Sequence, residues 1–309
     1  FGSGRDNGTK IKNESLRKGF MKITSVFEKN DLHPVVVLGK FDGLHRGHKT
    51  LIDIAKSISE KNGKPVYIFT FKGGTLQKLL TDDEFFDMSK TLGADGIIYA
   101  PLSKEFFAVT KDEFLKLLTD NFSPSAVVVG EDYTFGFNRE GTASALKEYF
   151  VKIGVNCVIA PLLTENGVKI SSTKVRELIK NGDVKKANSL LGYDYFYSGV
   201  VVKGRGDGRH FGFPTANVAP DKSKLMPKIG VYVTKTKIKG KLYKSLTNVG
   251  SAPTFGSSVF TTETFIPDFD GDLYKLNITV YFEEFIREVK KFGSQTELYE
   301  QIKKDLLKL

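Results

Sequence analysis

An apolar strand runs directly into a glycine-containing turn and then into a helix near the start of the chain. Val36, Val37 and Leu38 read as a buried parallel strand, and Gly39 and Gly43 allow a tight turn after it. Apolar residues then recur at helical spacing: Leu51, Ile52, Ala55 and Ile58. This order of elements predicts the opening strand–turn–helix unit of a parallel α/β sheet.

Two histidines lie three residues apart where this helix is predicted to begin. Backbone N–H groups and the positive end of the helix dipole favour anions at that position. The imidazoles of His45 and His48 can donate further hydrogen bonds to phosphate oxygens. We therefore predict a triphosphate site here, with helix capping or packing as the alternative role for the two rings.

Strands and helices continue to alternate up to about residue 163. The predicted strands are PVYIFTF, GIIYA, SAVVVG and CVIAPLL, and the predicted helices are DDEFFDMSKTLG, KDEFLKLLTDNF and ALKEYFVKIG. Such alternation indicates a Rossmann-like parallel sheet that binds ligands at the carboxyl ends of its strands. Gly39 and Gly130 both end strands, so the segments that follow them are expected to meet.

The pattern changes from about Tyr195 to short strands separated by turns. The strand candidates are FYSGVVVKG, GVYVTKTKI, KLYKSLTNVG, ETFIPDF and LNITVYFEEFI. Ser294, with Glu297 three residues later, predicts the start of a final helix. We expect a small antiparallel β-barrel with a terminal helix, joined to the first domain by one short helix over KVRELIKNGDVKKANSLLG.

A glycine-rich segment, GRGDGRHFGFPTANV, follows the first of these strands. A Rossmann glycine motif would open a helix, but Pro214 follows the glycines and prevents one. The glycines and Arg209 suit phosphates, and the oxygens of Thr215 and Asn217 suit Mg²⁺ shared with a nucleotide. An ordinary glycine-rich hairpin is the alternative.

The first half resembles the FAD synthetase branch of the H-x-G-H nucleotidyltransferases. The resemblance rests on the histidine turn, on VGEDYTFGFNREG (residues 129–141) and on ISSTKVR (residues 170–176). It implies nucleotide contacts from Gly39, Phe41, Asp42, Gly43, Gly47, Ser171, Ser172 and Thr173, and flavin contacts from Gly130, Asp132, Phe135 and Gly136. It also implies that His45, His48 and Arg176 stabilise charge on the reacting phosphates. The chain departs from this family after its second strand, where FTFKGGT replaces a loop with proline and histidine.

The second half resembles riboflavin kinase through PTAN, NVGSAPTFG, TTETFIPDFDGDLY and FIREVKKF. The resemblance implies that Glu263 is the catalytic base, that Thr215 and Asn217 bind Mg²⁺, and that Arg287 contacts flavin. It also implies that Gly204, Gly206, Gly208 and Arg209 bind nucleotide. The family's arginine before P-T-F is replaced by Ala252.

Together these resemblances imply a bifunctional enzyme that phosphorylates riboflavin to FMN and then adenylylates FMN to FAD. ATP, riboflavin, FMN and FAD are the expected partners, with Mg²⁺ as cofactor. The expected domains are 21–192 for adenylyl transfer and 193–309 for the kinase. Two alternatives stay open: a single-activity riboflavin kinase with an impaired first domain, and a flavin-responsive regulator that binds nucleic acid.

Composition argues against a nucleic-acid-binding protein, a disulfide-bonded protein and a membrane protein. The net charge of +10 comes from basic residues scattered along the chain, without the basic runs or aromatic platforms of a nucleic-acid site. A single cysteine, Cys157, forbids an internal disulfide, and no apolar run is long enough to span a bilayer. We expect a cytoplasmic protein without nucleic-acid or membrane partners, leave a homo-oligomer open, and interpret residues 1–20 as a disordered leader or tag.

Overall fold

The computed structural model describes residues 21–73, 77–203, 213–254 and 257–309. Within these residues the chain forms two compact units, one containing 21–73 and 85–164 and the other containing 77–84 and 165–309. The predicted leader lies outside the described residues. The units divide the chain at residue 164, whereas the sequence suggested a functional boundary at residue 192, which stays a prediction.

The first unit is built on a six-stranded parallel sheet. The six strands of the sheet are β1 (Lys22–Ser25), β2 (Val35–Leu38), β3 (Val66–Lys72), β4 (Gly96–Pro101), β5 (Ala126–Gly130) and β8 (Asn156–Ala160). The short strands β6 (Thr134–Phe135) and β7 (Gly141–Thr142) form a separate antiparallel pair. Between residues 21 and 164 the helices are α1 (Arg46–Asn62), α2 (Asp82–Thr91), α3 (Lys104–Phe107), α4 (Lys111–Phe122) and α5 (Ala143–Lys152). The sheet order is β1-β4-β3-β2-β5-β8, which confirms the predicted parallel α/β architecture.

The strand order places β2 beside β5, so Gly39, which follows β2, and Gly130, which ends β5, lie at the same edge of the sheet. Leu38 pairs in register with Val129, one residue before each glycine position. Two details differ from the sequence expectation. The edge strand β1 was not predicted, and β8 ends at Ala160, earlier than the predicted CVIAPLL, because Pro161 has no N–H to donate to a ladder.

The second unit is a closed antiparallel barrel with helices. It begins with a hairpin of β9 (Thr164–Glu165) and β10 (Val168–Lys169), although Thr164 itself belongs to the first unit, and continues with helices α6 (Ser172–Asn181) and α7 (Val184–Leu191). The barrel strands are β11 (Phe196–Val202), β12 (Thr215–Pro220), β13 (Gly230–Ile238), β14 (Lys241–Thr254), β15 (Ser257–Phe265) and β16 (Asn277–Arg287). Helix α8 (Gln295–Leu306) follows the last strand. The barrel closes in the order β11-β12-β15-β14-β13-β16. Both the barrel and the terminal helix are as predicted.

The single helix predicted before the barrel is wrong, because the segment forms two helices. Gly182 ends α6 in the left-handed region at φ +87°, and Gly192 ends α7 at φ +81°. Glycine adopts these dihedral angles without a Cβ clash, so each is a helix stop. The predicted strand ETFIPDF is also too long, since β15 ends at Phe265, before Pro267.

Alternating side chains separate the barrel interior from its outer face around Glu263. Thr262 and Thr264 are buried, with relative exposures of 1% and 0%. The Thr262 hydroxyl donates to the Val218 carbonyl at 2.6 Å, and Thr264 shares a 3.0 Å hydrogen bond with Thr247. Because successive residues of a strand face opposite sides, Glu263 points outward from a strand fixed by its neighbours.

A buried ion pair fixes residues 77–84 within the second unit. The Lys224 ammonium group lies 2.6 Å from the Glu84 carboxylate and donates to the Leu79 carbonyl at 2.8 Å. The other Glu84 oxygen accepts from the Ser198 N–H at 3.1 Å. Burial lowers the pKa of Lys224, while Glu84 opposes that effect. Each charge therefore depends on the other to offset the cost of leaving water.

Candidate active sites

The histidine turn in the first unit is a strained loop that ends at a helix N-terminus. Phe41 and Leu44 are buried with positive φ values of +43° and +42°, and Gly43 between them has φ +83°. Positive φ is costly for residues other than glycine and is often found at functional sites. His45 caps α1: the backbone N–H of His48 donates to His45 Nδ1 at 3.3 Å.

This cap fixes the chemical form of His45. A ring nitrogen that accepts a hydrogen bond carries no proton, so in neutral His45 the proton lies on Nε2. His45 can therefore present an N–H donor while it caps the helix. Both readings of this histidine from the sequence, helix cap and phosphate donor, are compatible in one geometry.

The two imidazoles stack on each other. Their ring centroids are 3.6 Å apart with an interplanar angle of 15°, and the His48 ring lies 4.9 Å from that of Phe41. His48 Nδ1 is buried and has no hydrogen-bond partner among the described residues. Burial, and then the charge of His45, lower the pKa of His48 well below its usual value. At neutral pH His48 is thus a neutral hydrogen-bonding group.

Two glycines leave room for these rings. A Cβ at Gly39 would lie 2.7 Å from the Phe41 ring, and one at Gly47 would lie 3.3 Å from the His45 ring. The first distance is too short for any side chain, and the second is tight. The glycine between the two histidines therefore permits the close approach of the His45 ring to the helix.

The neighbouring strand ends supply polar groups at the same edge of the sheet. Gly130 ends β5, and exposed Asp132 follows it. Lys72 ends β3 with its ammonium group 5.8 Å from the Tyr99 ring. Asp42 is half-buried in the histidine turn. Lys72 thus places a positive charge where the chain departs from the family's usual loop.

Phe135, predicted from the resemblance to contact flavin, packs into the hydrophobic core. It is 6% exposed, its ring lies 5.2 Å from that of Phe114, and a Cβ on Gly141 would lie 2.6 Å from it. Gly136 has φ +75° and packs against the backbone of Lys111. Both residues shape the loop after β5, and their flavin contacts stay a prediction.

The ISSTKVR segment lies in the second unit, at the start of α6. The Ser171 hydroxyl accepts the Lys174 N–H at 3.3 Å and caps the helix. Ser172 and Thr173 form its first turn, which favours anions. Partial burial lowers the pKa of Arg176, which still stays charged. That these groups act with the two histidines stays a prediction.

In the barrel, three residues predicted for different roles lie in one cross-strand row. Asn217 on β12 pairs with Glu263 on β15, and Glu263 pairs with Asn248 on β14. Asn248 pairs with Val231 on β13, which pairs with Arg287 on β16. Residues directly opposite each other in an antiparallel pair share a face, at about 5 Å per step. The row therefore runs along the outer face of the barrel.

The row begins with hard-oxygen groups that suit a metal bound to phosphates. Thr215 and Asn217 are half-buried and alternate with buried Ala216 and Val218, so both face outward beside Glu263. A hydroxyl, an amide oxygen and a nearby carboxylate match the ligands that Mg²⁺ takes with nucleotide phosphates. Among the described residues no cluster of three or more His, Cys, Asp or Glu side chains could hold a metal ion.

Arg287 closes the other end of the row. Its guanidinium donates to both oxygens of buried Asp305 on α8, at 2.7–3.2 Å, and Gln301 donates to the same carboxylate at 2.9 Å. Arg287 thus anchors the terminal helix beside the row, and its contact with flavin stays a prediction. The predicted nucleotide ligands Gly204, Gly206, Gly208 and Arg209 lie outside the described residues.

Comparison with known proteins decides the family. The riboflavin kinase family matches residues 191–309, and the FAD synthetase family matches residues 27–174. The bifunctional riboflavin kinase/FMN adenylyltransferase of Bacillus subtilis is 33% identical over 88% of this chain and 90% of its own length. That of Escherichia coli is 32% identical with the same coverage. This chain belongs to the bifunctional riboflavin kinase/FMN adenylyltransferase family.

A solved structure shares the fold over most of the chain. The crystal structure described as a macrolide-efflux protein from Streptococcus pneumoniae superposes with a TM-score of 0.84 and 31% identity, covering 92% of this chain and 97% of that one. In the part of this chain that the structure describes, no helix is long and apolar enough to cross a membrane. The family assignment rests on the two matched domains and their relatives.

Proposed function

We propose that the two activities of this family occur at two separate sites, one on the outer face of the barrel and one at the histidine turn. The chain is an enzyme of flavin cofactor synthesis, with ATP as co-substrate in both reactions. The observation that carries the proposal is the row on the barrel, which aligns Asn217, Glu263 and Arg287, from three distant segments, along one face.

At the barrel, riboflavin is phosphorylated by ATP. The primary hydroxyl of the ribityl chain attacks the γ-phosphorus, and Glu263 accepts the hydroxyl proton as the new O–P bond forms. The bond between the γ-phosphorus and the bridging oxygen breaks, and ADP leaves with the electron pair. Thr215 and Asn217 would hold Mg²⁺, which supplies positive charge against the phosphates.

At the histidine turn, a phosphate oxygen of FMN attacks the α-phosphorus of ATP. The α–β bridging bond breaks, FAD forms and pyrophosphate leaves with the electron pair. His45, through Nε2–H, and the N–H groups that open α1 stabilise the charge growing on the phosphates. His48 contributes a hydrogen bond rather than a positive charge, because burial keeps it neutral. Arg176 and the hydroxyls of ISSTKVR would add charge and donors.

The proposal is tested with purified enzyme and two starting materials. With riboflavin, MgATP and enzyme, separation of flavins by chromatography is expected to show FMN first and FAD later. With FMN and MgATP, FAD is expected without a lag. Failure to form FMN from riboflavin would refute the barrel site, and failure to form FAD from FMN would refute the histidine site.

A further inference from the structure

Asn248 lies in the centre of the barrel row and was not among the predicted site residues. It is the partner of Glu263 on β14, opposite the side on which Asn217 pairs with Glu263. Its neighbour Val249 is fully buried in the barrel core, so Asn248 faces outward with Glu263. The side chain is therefore next to the carboxylate assigned as base.

The amide oxygen of Asn248 lacks a hydrogen-bond donor among the described residues. This Oδ1 atom is buried. A buried polar atom without a partner destabilises a folded protein. Such a group is retained at a site when a ligand supplies the partner.

The order of the row identifies the ligand group. Asn217 lies on the metal and phosphate side of Glu263, whereas Asn248 lies on the side of Val231 and Arg287. In an in-line transfer the attacking hydroxyl enters on the side opposite the leaving group, so the rest of the acceptor substrate extends away from the phosphates. The segment next to the attacking hydroxyl of riboflavin is a polyol chain.

We propose that Asn248 binds a hydroxyl of the ribityl chain and thereby holds the primary hydroxyl at Glu263. A hydroxyl both donates and accepts, so it complements the amide in either orientation. Val231, which is 8% exposed, follows Asn248 in the row and provides an apolar surface for the part of the substrate beyond the polyol. Asn248 is thus a specificity-determining residue for a hydroxylated acceptor. This inference rests on the proposed kinase function of the barrel.

The test compares Asn248→Leu and the milder Asn248→Ser with wild type. Loss of one neutral hydrogen bond predicts about a tenfold fall in kcat/KM for riboflavin in Asn248→Leu, with a smaller fall in Asn248→Ser and an unchanged KM for ATP. Asn277→Leu, at an exposed asparagine at the start of β16, is the matched control and is expected to behave as wild type. FAD formation from supplied FMN reports on the histidine site, and thermal unfolding of each variant shows whether the barrel is folded.

Riboflavin analogues that each lack one secondary ribityl hydroxyl complete the test. With wild type, kcat/KM for one analogue is expected to be about tenfold lower than kcat/KM for riboflavin. With Asn248→Leu, kcat/KM for the same analogue is expected to equal that for riboflavin, since the interaction is already absent. If every analogue lowered kcat/KM by the same factor in wild type and in Asn248→Leu, the proposal would be overturned. A kcat/KM of Asn248→Leu for riboflavin within twofold of the wild-type value would also overturn it. A parallel fall of both activities with thermal stability would also overturn it. Wild type that forms no FMN would refute the kinase function instead.

Discussion

The two units build their sites in different ways. In the first unit, the predicted site residues lie in loops that follow parallel strands and on the first turn of α1, so their positions depend on Gly39, on Gly47 and on residues with positive φ. In the barrel, Asn217, Glu263 and Arg287 are strand residues placed by sheet register. A loop site depends on local backbone conformation, whereas a row on a sheet depends on long-range pairing. The two sites should therefore respond separately to substitution.

The largest effect is expected from Glu263→Gln. The amide keeps the shape of the side chain but cannot accept the hydroxyl proton, so FMN formation should fall about 10²- to 10⁴-fold. FAD formation from supplied FMN should stay within twofold of wild type. Both rates are measured by chromatography of the flavins, with Glu284→Gln, an exposed strand carboxylate, as control. An equal fall in both activities would show that the sites are not separate.

Lys224→Met should destabilise the barrel unit by about 3–5 kcal/mol, because it leaves the buried carboxylate of Glu84 without its partner. Heat inactivation of riboflavin phosphorylation should then occur at a lower temperature than in wild type, while FMN adenylylation is affected less. Lys222→Met, at an exposed neighbour, is the matched control. Adding Glu84→Leu should recover part of the loss. Unchanged inactivation in Lys224→Met would contradict the role of the ion pair.

His48→Ala should reverse the pattern of Glu263→Gln. Removal of one preorganised donor costs about 10²- to 10³-fold, so FAD formation from FMN should fall by that factor while FMN formation is retained. The exposed His33, changed to Asn, is the control in the same unit. Adenylylation at the wild-type rate would reduce His48 to a packing role.

The smallest effect concerns pH. Burial places the pKa of folded His48 below the usual value of 6.5 that it has in the unfolded chain, so below pH 6.5 the unfolded state binds a proton that the folded state resists. Stability of the first unit should decline as pH falls from 6.5 towards the folded pKa and should not depend on this group above pH 6.5. Calorimetry of wild type and His48→Ala from pH 8 to pH 5 measures the difference. An equal slope for both proteins would contradict the assignment.

Local patterns predicted the first site better than the second. Strand, glycines and helix follow one another within residues 35–62, so the position of His45 and His48 at a helix start could be read from spacing. The stacking of the two rings and the core position of Phe135 depend on packing and could not be predicted from the local pattern. Apolar periodicity alone predicted one helix across Gly182, whereas the structure has two helices separated at this glycine.

The barrel row could not be read from the sequence. Short strands and turns predicted the barrel, but the pairing of β12 with β15 joins residues 46 positions apart, and nothing in the local pattern sets that register. Resemblance supplied Asn217, Glu263 and Arg287 separately. Asn248 carried one signal only: it opens a segment shared with the family and is polar on a strand whose neighbours are buried.

Mixing the two single-site variants tests the separation of the sites most directly. Glu263→Gln alone and His48→Ala alone should each fail to convert riboflavin to FAD with MgATP. An equimolar mixture should form FAD after a lag, because FMN released by His48→Ala enzyme reaches the intact histidine site of Glu263→Gln enzyme. A mixture that accumulates FMN but no FAD, or neither product, would contradict two independent sites.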